Sequence, residues 1–227
     1  MNNLQLVQRL RRKCRVIGAN PATIEGVTLN EELARLIDWT NEAWVSIQNE
    51  RADWRWMRKS AQFQTVAGQP SYTIAQIGLT DFGNWDRETF RTYNTLAGKS
   101  GEIQLDYIDY DTWRNQYQFS GFRDARTMPV QFTWLPDDSV GLGPTPTDGY
   151  TVTGDYFAIA TEMTKNIDVP GLPAQYHMAI VYRAMMFYGA SEAASEVYNE
   201  GEAEYKKLMY QVRRRELPEI TMGGALA

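Results

Sequence analysis

One histidine and one cysteine bound the chemistry open to this 227-residue chain. His177 would have to be the base of any nucleophilic triad, yet it falls beside Met178 and Val181 on the apolar face of a predicted helix. A packed, hydrogen-bonded imidazole is the expected state there. The same scarcity excludes ordinary zinc sites, which take several His or Cys ligands. Cys14 has no second cysteine for a disulfide, which points to a reducing compartment. The chain holds no phosphate-cradling loop ending in Gly-Lys-Ser/Thr, and no G-x-G-x-x-G follows a strand. Carboxylates cluster once, in Asp106-Tyr107-Ile108-Asp109-Tyr110-Asp111, three acids able to hold a hard cation or to work as an acid–base pair. The alternation Ile103, Leu105, Tyr107 puts Asp106 on the solvent side of a strand, and Asp109 and Asp111 fit a helix cap, so capping and solvation are the expected roles. Asp137-Asp138 reads as turn chemistry, and the spacing and glycine of an EF-hand are missing. These residues point to no catalytic group, no metal and no cofactor, and the chain reads as a non-enzyme.

Residues suited to binding are more plentiful. Basic side chains run through Arg9, Arg11, Arg12, Lys13 and Arg15 and again through Arg213-Arg214-Arg215. Each run suits a nucleic acid or an acidic protein surface; the bland reading is a solvated helix face, with Arg213 to Arg215 also favoured by a helix C-terminal dipole. For the second run a partner contact is expected, because an apolar tail follows at once. Trp54-Arg55-Trp56-Met57 is the densest aromatic patch in a chain that is 12% aromatic with seven Trp. Trp54 suits a core, whereas Trp56 lies two residues off its stripe, and Trp54, Trp56 and Met57 are the candidates for a subunit interface. The net charge of −5 is uneven: residues 1–62 carry ten basic and seven acidic side chains, 63–160 six and twelve, 161–227 seven and nine. Such an acidic middle is a poor grip for DNA phosphates, since that affinity comes from Lys and Arg. No run reaches the roughly 18 apolar residues of a membrane span, and the start shows no secretory apolar stretch.

The elements that must carry these residues show as two periods. Val7, Leu10, Cys14 and Ile17 step at helical spacing, and Thr28-Leu29-Asn30-Glu31 matches a capping box at the start of a second helix. Leu29, Leu33, Leu36, Thr40, Trp44, Ile47 and Trp54 hold one stripe, predicting a rod of about 45 Å at 1.5 Å per residue. From Gln62 the period falls to two. Residues 62–66 and 70–74 predict a hairpin, and Ile103/Leu105/Tyr107, Val130/Phe132/Trp134 and Tyr150/Val152/Gly154/Tyr156 predict further strands of an antiparallel sheet. Asp109 to Tyr117 predicts a capped helical turn. The helical period returns after Pro170-Gly171, through Ala174, His177, Met178, Val181, Ala184, Met185 and Tyr188. It continues in Ala190, Ala194, Val197, Gly201, Tyr205, Leu208 and Val212, small residues first, which permits a close helix approach. The fold class is therefore α+β: a helical bundle of residues 1–61 and 170–217, an inserted antiparallel β domain over 62–169, and an extended C-terminal tail over 218–227.

Three stretches, taken together, resemble a known family: Leu33-Ala34-Arg35-Leu36-Ile37-Asp38-Trp39-Thr40-Asn41-Glu42-Ala43-Trp44 with Asp53-Trp54-Arg55-Trp56; Tyr110-Asp111-Thr112-Trp113-Arg114; and Pro173-Ala174-Gln175-Tyr176-His177-Met178-Ala179-Ile180-Val181-Tyr182-Arg183-Ala184. They resemble the head-to-tail connector adaptors of tailed bacteriophages, the group that includes tail tubular protein A. The resemblance runs from about residue 4 to 216 and implies a virion protein of the neck, assembled in the host cytoplasm as a ring, twelvefold in the family. Its implied partners are further copies of itself, the portal protein and a downstream tail or nozzle protein, with DNA passing through without specific binding. It also implies that Arg213, Arg214, Arg215, Leu217, Pro218, Ile220 and Met222 dock on the portal. A β-domain module binding carbohydrate or protein through exposed Tyr107, Trp113 or Tyr117 is the alternative, and a glycan hydrolase built on the Asp106 cluster is a third reading.

Overall fold

The first helix, α1 (Asn3–Lys13), starts where Asn2 accepts a hydrogen bond from the backbone N–H of Gln5 while the Gln5 side chain accepts one from Asn2. This reciprocal cap, of the kind whose loss costs about 1 kcal/mol, turns Leu6, Val7 and Leu10 inward. In the computed structural model residues 1–26, 31–119, 121–147 and 149–216 are described. Ile17 keeps the period of α1 but not its helix: Arg15 takes a left-handed φ of 56° just past the end, and Ile17 is 93% exposed. Thr28, Leu29 and Asn30 of the predicted capping box and the tail over 218–227 lie outside the described residues.

Helix α2 (Glu31–Asn49) is 19 residues, about 28 Å, shorter than the predicted rod. It stops because the chain doubles back, bringing the indole N–H of Trp54 to within 3.0 Å of the Ile47 carbonyl oxygen, which otherwise accepts only the 3.3 Å bond from the Glu50 N–H. Arg51 grips Asp53 with two nitrogens, at 2.8 and 3.0 Å, inside that reversal. Trp54 therefore lies on the apolar stripe in sequence and in the core in space, but in no helix. A single 3₁₀ turn (Arg55–Met57) leads on to β1 (Arg58–Gln64).

The remaining elements run β2 (Ser71–Tyr72), α3 (Ile74–Ile77), β3 (Phe82–Asn94), β4 (Ile103–Gln104), β5 (Asp106–Tyr107), α4 (Tyr110–Arg114) continuing as a π-turn (Asn115–Phe119), β6 (Gln131–Trp134), β7 (Val140–Gly143), β8 (Tyr150–Ala158), α5 (Met178–Ser191) and α6 (Ser195–Glu216). The class is α+β. The chain divides into two compact units, one of Met1–Met57 with the described residues from Ala160 onward, the other Arg58–Ile159.

In the first unit α1, α2, α5 and α6 surround one core of Leu6, Leu10, Leu36, Ile47, Trp54, Ile180, Met185 and Met209, every one at most 1% exposed. Helices α5 and α6 meet at glycines. A Cβ on Gly189 would stand 2.7 Å from the backbone N of Tyr198, and one on Gly201 2.9 Å from the carbonyl oxygen of Tyr182. The small-residue end of the 190–212 pattern thus does permit backbone approach.

The second unit has two four-stranded sheets, ordered β1-β8-β3-β4 and β2-β7-β6-β5, whose inner faces share a core of Phe63, Trp85, Phe90, Phe132, Leu142, Val152 and Tyr156. Three expectations change here. The predicted 62–74 hairpin is absent: β1 pairs with β8 and β2 with β7, in different sheets. The run Ile103/Leu105/Tyr107 is two strands, with the chain crossing from one sheet to the other at buried Leu105. Pairing between the strands is antiparallel except for β5 with β6, which run parallel through Asp106↔Gln131 and Tyr107↔Phe132, so that sheet is mixed. The 13-residue β3 answers to no clear period in the sequence, because register shifts between Phe82 and Asn84 and between Asp86 and Arg91 interrupt its alternation.

Candidate assembly surfaces

Helix α6 delivers Arg213, Arg214 and Arg215 to its last turn, and each meets a neighbour in the same unit. Arg213 Nη2 lies 2.9 Å from Glu50 Oε2, the Arg214 guanidinium 5.9 Å from the Tyr210 ring centre, and Arg215 Nε 3.4 Å from Glu216 Oε1. Glu50, just past the end of α2, also accepts a hydrogen bond from the Tyr205 hydroxyl through its other oxygen. Burial, followed by the Glu50 bond, pushes the Tyr205 hydroxyl far above its ordinary range, so it stays a donor at all physiological pH. Arg183 flanks this clasp, with its guanidinium 5.5 Å from the Tyr205 ring centre and Nη2 3.1 Å from Ser46 Oγ. A carboxylate just past α2 thus holds the last turns of α6. Sequence reasoning missed Glu50, since nothing along the chain links it to a tyrosine 155 residues away. Leu217, Pro218, Ile220 and Met222 lie outside the described residues.

Of the aromatic candidates, Trp54 is fully buried and Met57 is 7% exposed, while Trp56 is half-buried and stacks on Trp54 with ring centres 4.3 Å apart and planes 20° apart. Only Trp56 presents surface, and a direct partner contact from this trio has to come through it. Its indole nitrogen is buried without a hydrogen-bond partner.

His177 is 1% exposed at the start of α5. Nε2 sits 2.7 Å from the Leu172 carbonyl oxygen and Nδ1 2.6 Å from the amino group of Met1. A ring that donates at Nε2 and accepts at Nδ1 is the neutral imidazole. Burial holds its pKa below 6.5, with the neighbouring positive amine adding to the effect. The unfolded chain therefore binds a proton that the folded one refuses, so the stability His177 contributes is complete above about pH 6.5 and falls as pH drops toward the folded value. The melting temperature is expected to decline as pH falls below about 6.5, and His177→Gln to flatten that slope.

The carboxylate cluster is dispersed. Asp106 points to solvent from β5. Asp109 caps α4, accepting from the Thr112 N–H at 3.0 Å, and Thr112 holds its carboxyl below the usual range. Among the described residues no three His, Cys, Asp or Glu side chains gather in a metal-holding group. Burial pushes the Cys14 thiol up to about 12, which makes it a poor nucleophile. A groove of about 610 Å³ on the outer face of the first sheet is lined by Ser60, Gln62, Glu88, Arg91, Thr153 and Asp155. Within it Asp155 already holds Arg58 at 2.9 Å and Ser60 at 2.8 Å. Two aromatics of the carbohydrate reading are committed inside, and Tyr107 is half-buried against Phe132 and Trp134. Trp113 and Tyr117 are 3% and 6% exposed, and they lie over Gly141 and Gly143, where a Cβ would come within 3.1 Å of the Trp113 ring and 2.2 Å of the Tyr117 ring. They offer no platform for a sugar. No helix among the described residues is long and apolar enough to cross a membrane.

Helices meeting through glycines, two sheets around an aromatic core, and polar groups that are paired rather than convergent characterise the described residues. Comparison with known protein families matches residues 1–223 to SU10 adaptor protein, and the chain belongs to that family. It is a phage adaptor protein, a component of the virion. No curated protein matches the chain.

Proposed function

We propose that this adaptor assembles as a closed ring, a 12-mer, that docks on the portal, continues the DNA channel and offers the attachment platform for the next tail or nozzle protein. The observation that carries the reading is the family match over nearly the whole chain. In this reading the N- and C-terminal helices form the ring body and the β unit is an insertion in it. Residues Arg213 to Arg215 and the segment 217–227 dock on the portal. DNA passes without specific binding, because the stretch 63–160 carries twice as many acids as bases and repels phosphate. Subunits are made in the host cytoplasm and join the portal there.

The test is native mass spectrometry of the full chain alone and mixed with the portal ring of its own virus. A defined number of copies joining each portal is the expected result, together with loss of capture when residues 217–227 are deleted. A chain indifferent to the portal overturns the docking, and a stoichiometry other than twelve overturns the ring order.

A further inference from the structure

Charges on the helical unit are mostly settled within it. Lys13 pairs with Glu200 at 2.7 Å, Arg35 with Glu192 at 2.8 Å, Lys206 with Glu202 at 3.0 Å and Arg213 with Glu50 at 2.9 Å. The charges left over segregate by helix. Arg9 and Arg12 on α1, and Arg15 just beyond it, are exposed and make no ion pair among the described residues. On α2 the exposed charges without an ion pair are all acidic: Glu31 and Glu32 in the first turn, then Asp38 and Glu42. Apart from Arg55, Glu162, Lys165 and Glu196, the unit's other described charged side chains meet a partner or a backbone group.

Some of this has a local cause. Glu31 and Glu32 complement the N-terminal dipole of α2, and Arg12 lies in the last turn of α1, where a cation is favoured. Asp38, Glu42 and Arg9 have no such cause. Residues three or four apart on a helix are neighbours, so Arg9 and Arg12 form one like-charged pair and Asp38 and Glu42 another. Like charges at that spacing disfavour their own helix, and each face gains when the opposite charge arrives from outside. The two pairs are opposite in sign and similar in spacing.

We propose that the arginine face of α1, Arg9 and Arg12 with Arg15, docks on the Asp38–Glu42 face of α2 in a second copy of this chain. The contact joins two different faces, so it is head-to-tail, the kind that closes into a ring when its rotation divides the circle. It deepens the adaptor reading and rests on it. Exposed charge pairs steer association and are screened by salt, so self-association through this contact weakens as ionic strength rises.

The experiment uses charge reversal in the full chain, with self-association followed by sedimentation and native mass spectrometry at low ionic strength, alone and on the portal. Arg9→Glu with Arg12→Glu, and separately Asp38→Arg with Glu42→Arg, are each expected to raise the concentration needed for self-association by about tenfold or more. Melting temperatures control for folding. Mixing the two double variants restores assembly with alternating copies, because each then offers the charge the other lacks, and the fourfold variant restores it alone. Double variants that assemble like the parent overturn the proposal while leaving the adaptor reading intact. So does weakened assembly that neither the mixture nor the fourfold variant rescues. Loss of DNA retention by the arginine variant with self-association unchanged assigns the patch to nucleic acid and also overturns it. A parent chain that neither self-associates nor joins the portal removes the adaptor reading and the proposal with it.

Discussion

Trp54→Ala is expected to destabilise the helical unit by about 3–5 kcal/mol, as large-to-small changes at fully buried aromatic sites do. Two losses combine at this position. The indole has no exposed surface and stacks on Trp56, so its removal leaves a cavity inside the core that Ile47 and Met57 share. The Ile47 carbonyl also loses its 3.0 Å indole donor at the end of α2 and keeps only the longer 3.3 Å bond from the Glu50 N–H, a loss of about 0.5–1.5 kcal/mol. Trp54→Phe separates the two, because it keeps most of the packing and removes the hydrogen bond; its cost is expected near the second figure alone. Denaturant midpoints followed by far-ultraviolet circular dichroism measure both. A Trp54→Ala variant within about 1 kcal/mol of the parent would mean that the chain reversal at Arg51–Asp53, and not the indole, ends α2.

Trp54 also shows where sequence periodicity stops being informative. Its place on the Leu29–Trp54 stripe is real as burial and wrong as helix, since a side chain that folds back onto the core satisfies the same apolar pattern as one that continues the rod. Ile17 errs the other way: it is in phase with α1 but lies beyond the left-handed Arg15, in solvent. Alternation in the middle of the chain marked strands without marking sheets. Phe63 and Tyr72 do meet, with ring centres 5.0 Å apart, but from facing sheets and not across a hairpin. Bulges hid β3, whose inward residues Trp85 and Phe90 are five apart where an unbroken strand would need an even number. Among binding residues, the types were legible and the partners were not. Arg213 stood out as one of three arginines, and only the folded chain shows Glu50 holding it. The reach of Trp113 and Tyr117 across Gly141 and Gly143 turns two candidate contact residues into core.

Phe132→Ala is expected to cost the β unit about 3–5 kcal/mol and to loosen its two sheets from one another. Phe132 on β6 is fully buried and stacks on Phe90 of β3, with ring centres 4.3 Å apart and planes 16° apart, so this pair is a direct link between the sheets. Tyr107 and Trp134 stand around it at 5.6 and 6.2 Å, which leaves a cavity bordered by rigid rings that cannot collapse as aliphatic neighbours would. Backing for Phe90 comes from β8, where a Cβ on Gly154 would approach its ring to 3.0 Å, so Phe90 has no room to retreat on its far side. Phe132→Leu keeps much of the volume and forfeits mainly the ring stacking, worth about 0.5–1.5 kcal/mol, and the gap between the two variants measures how much the cavity itself matters. Hydrogen exchange reads the result by strand. In Phe132→Ala the amides of β6 and β7 lose protection together, because they form the ladder Phe132 holds in place, while β1 and β8, fully paired with each other, retain more of theirs. Uniform loss across all eight strands would instead show that neither sheet persists without the other, and that the β unit folds as one cooperative body.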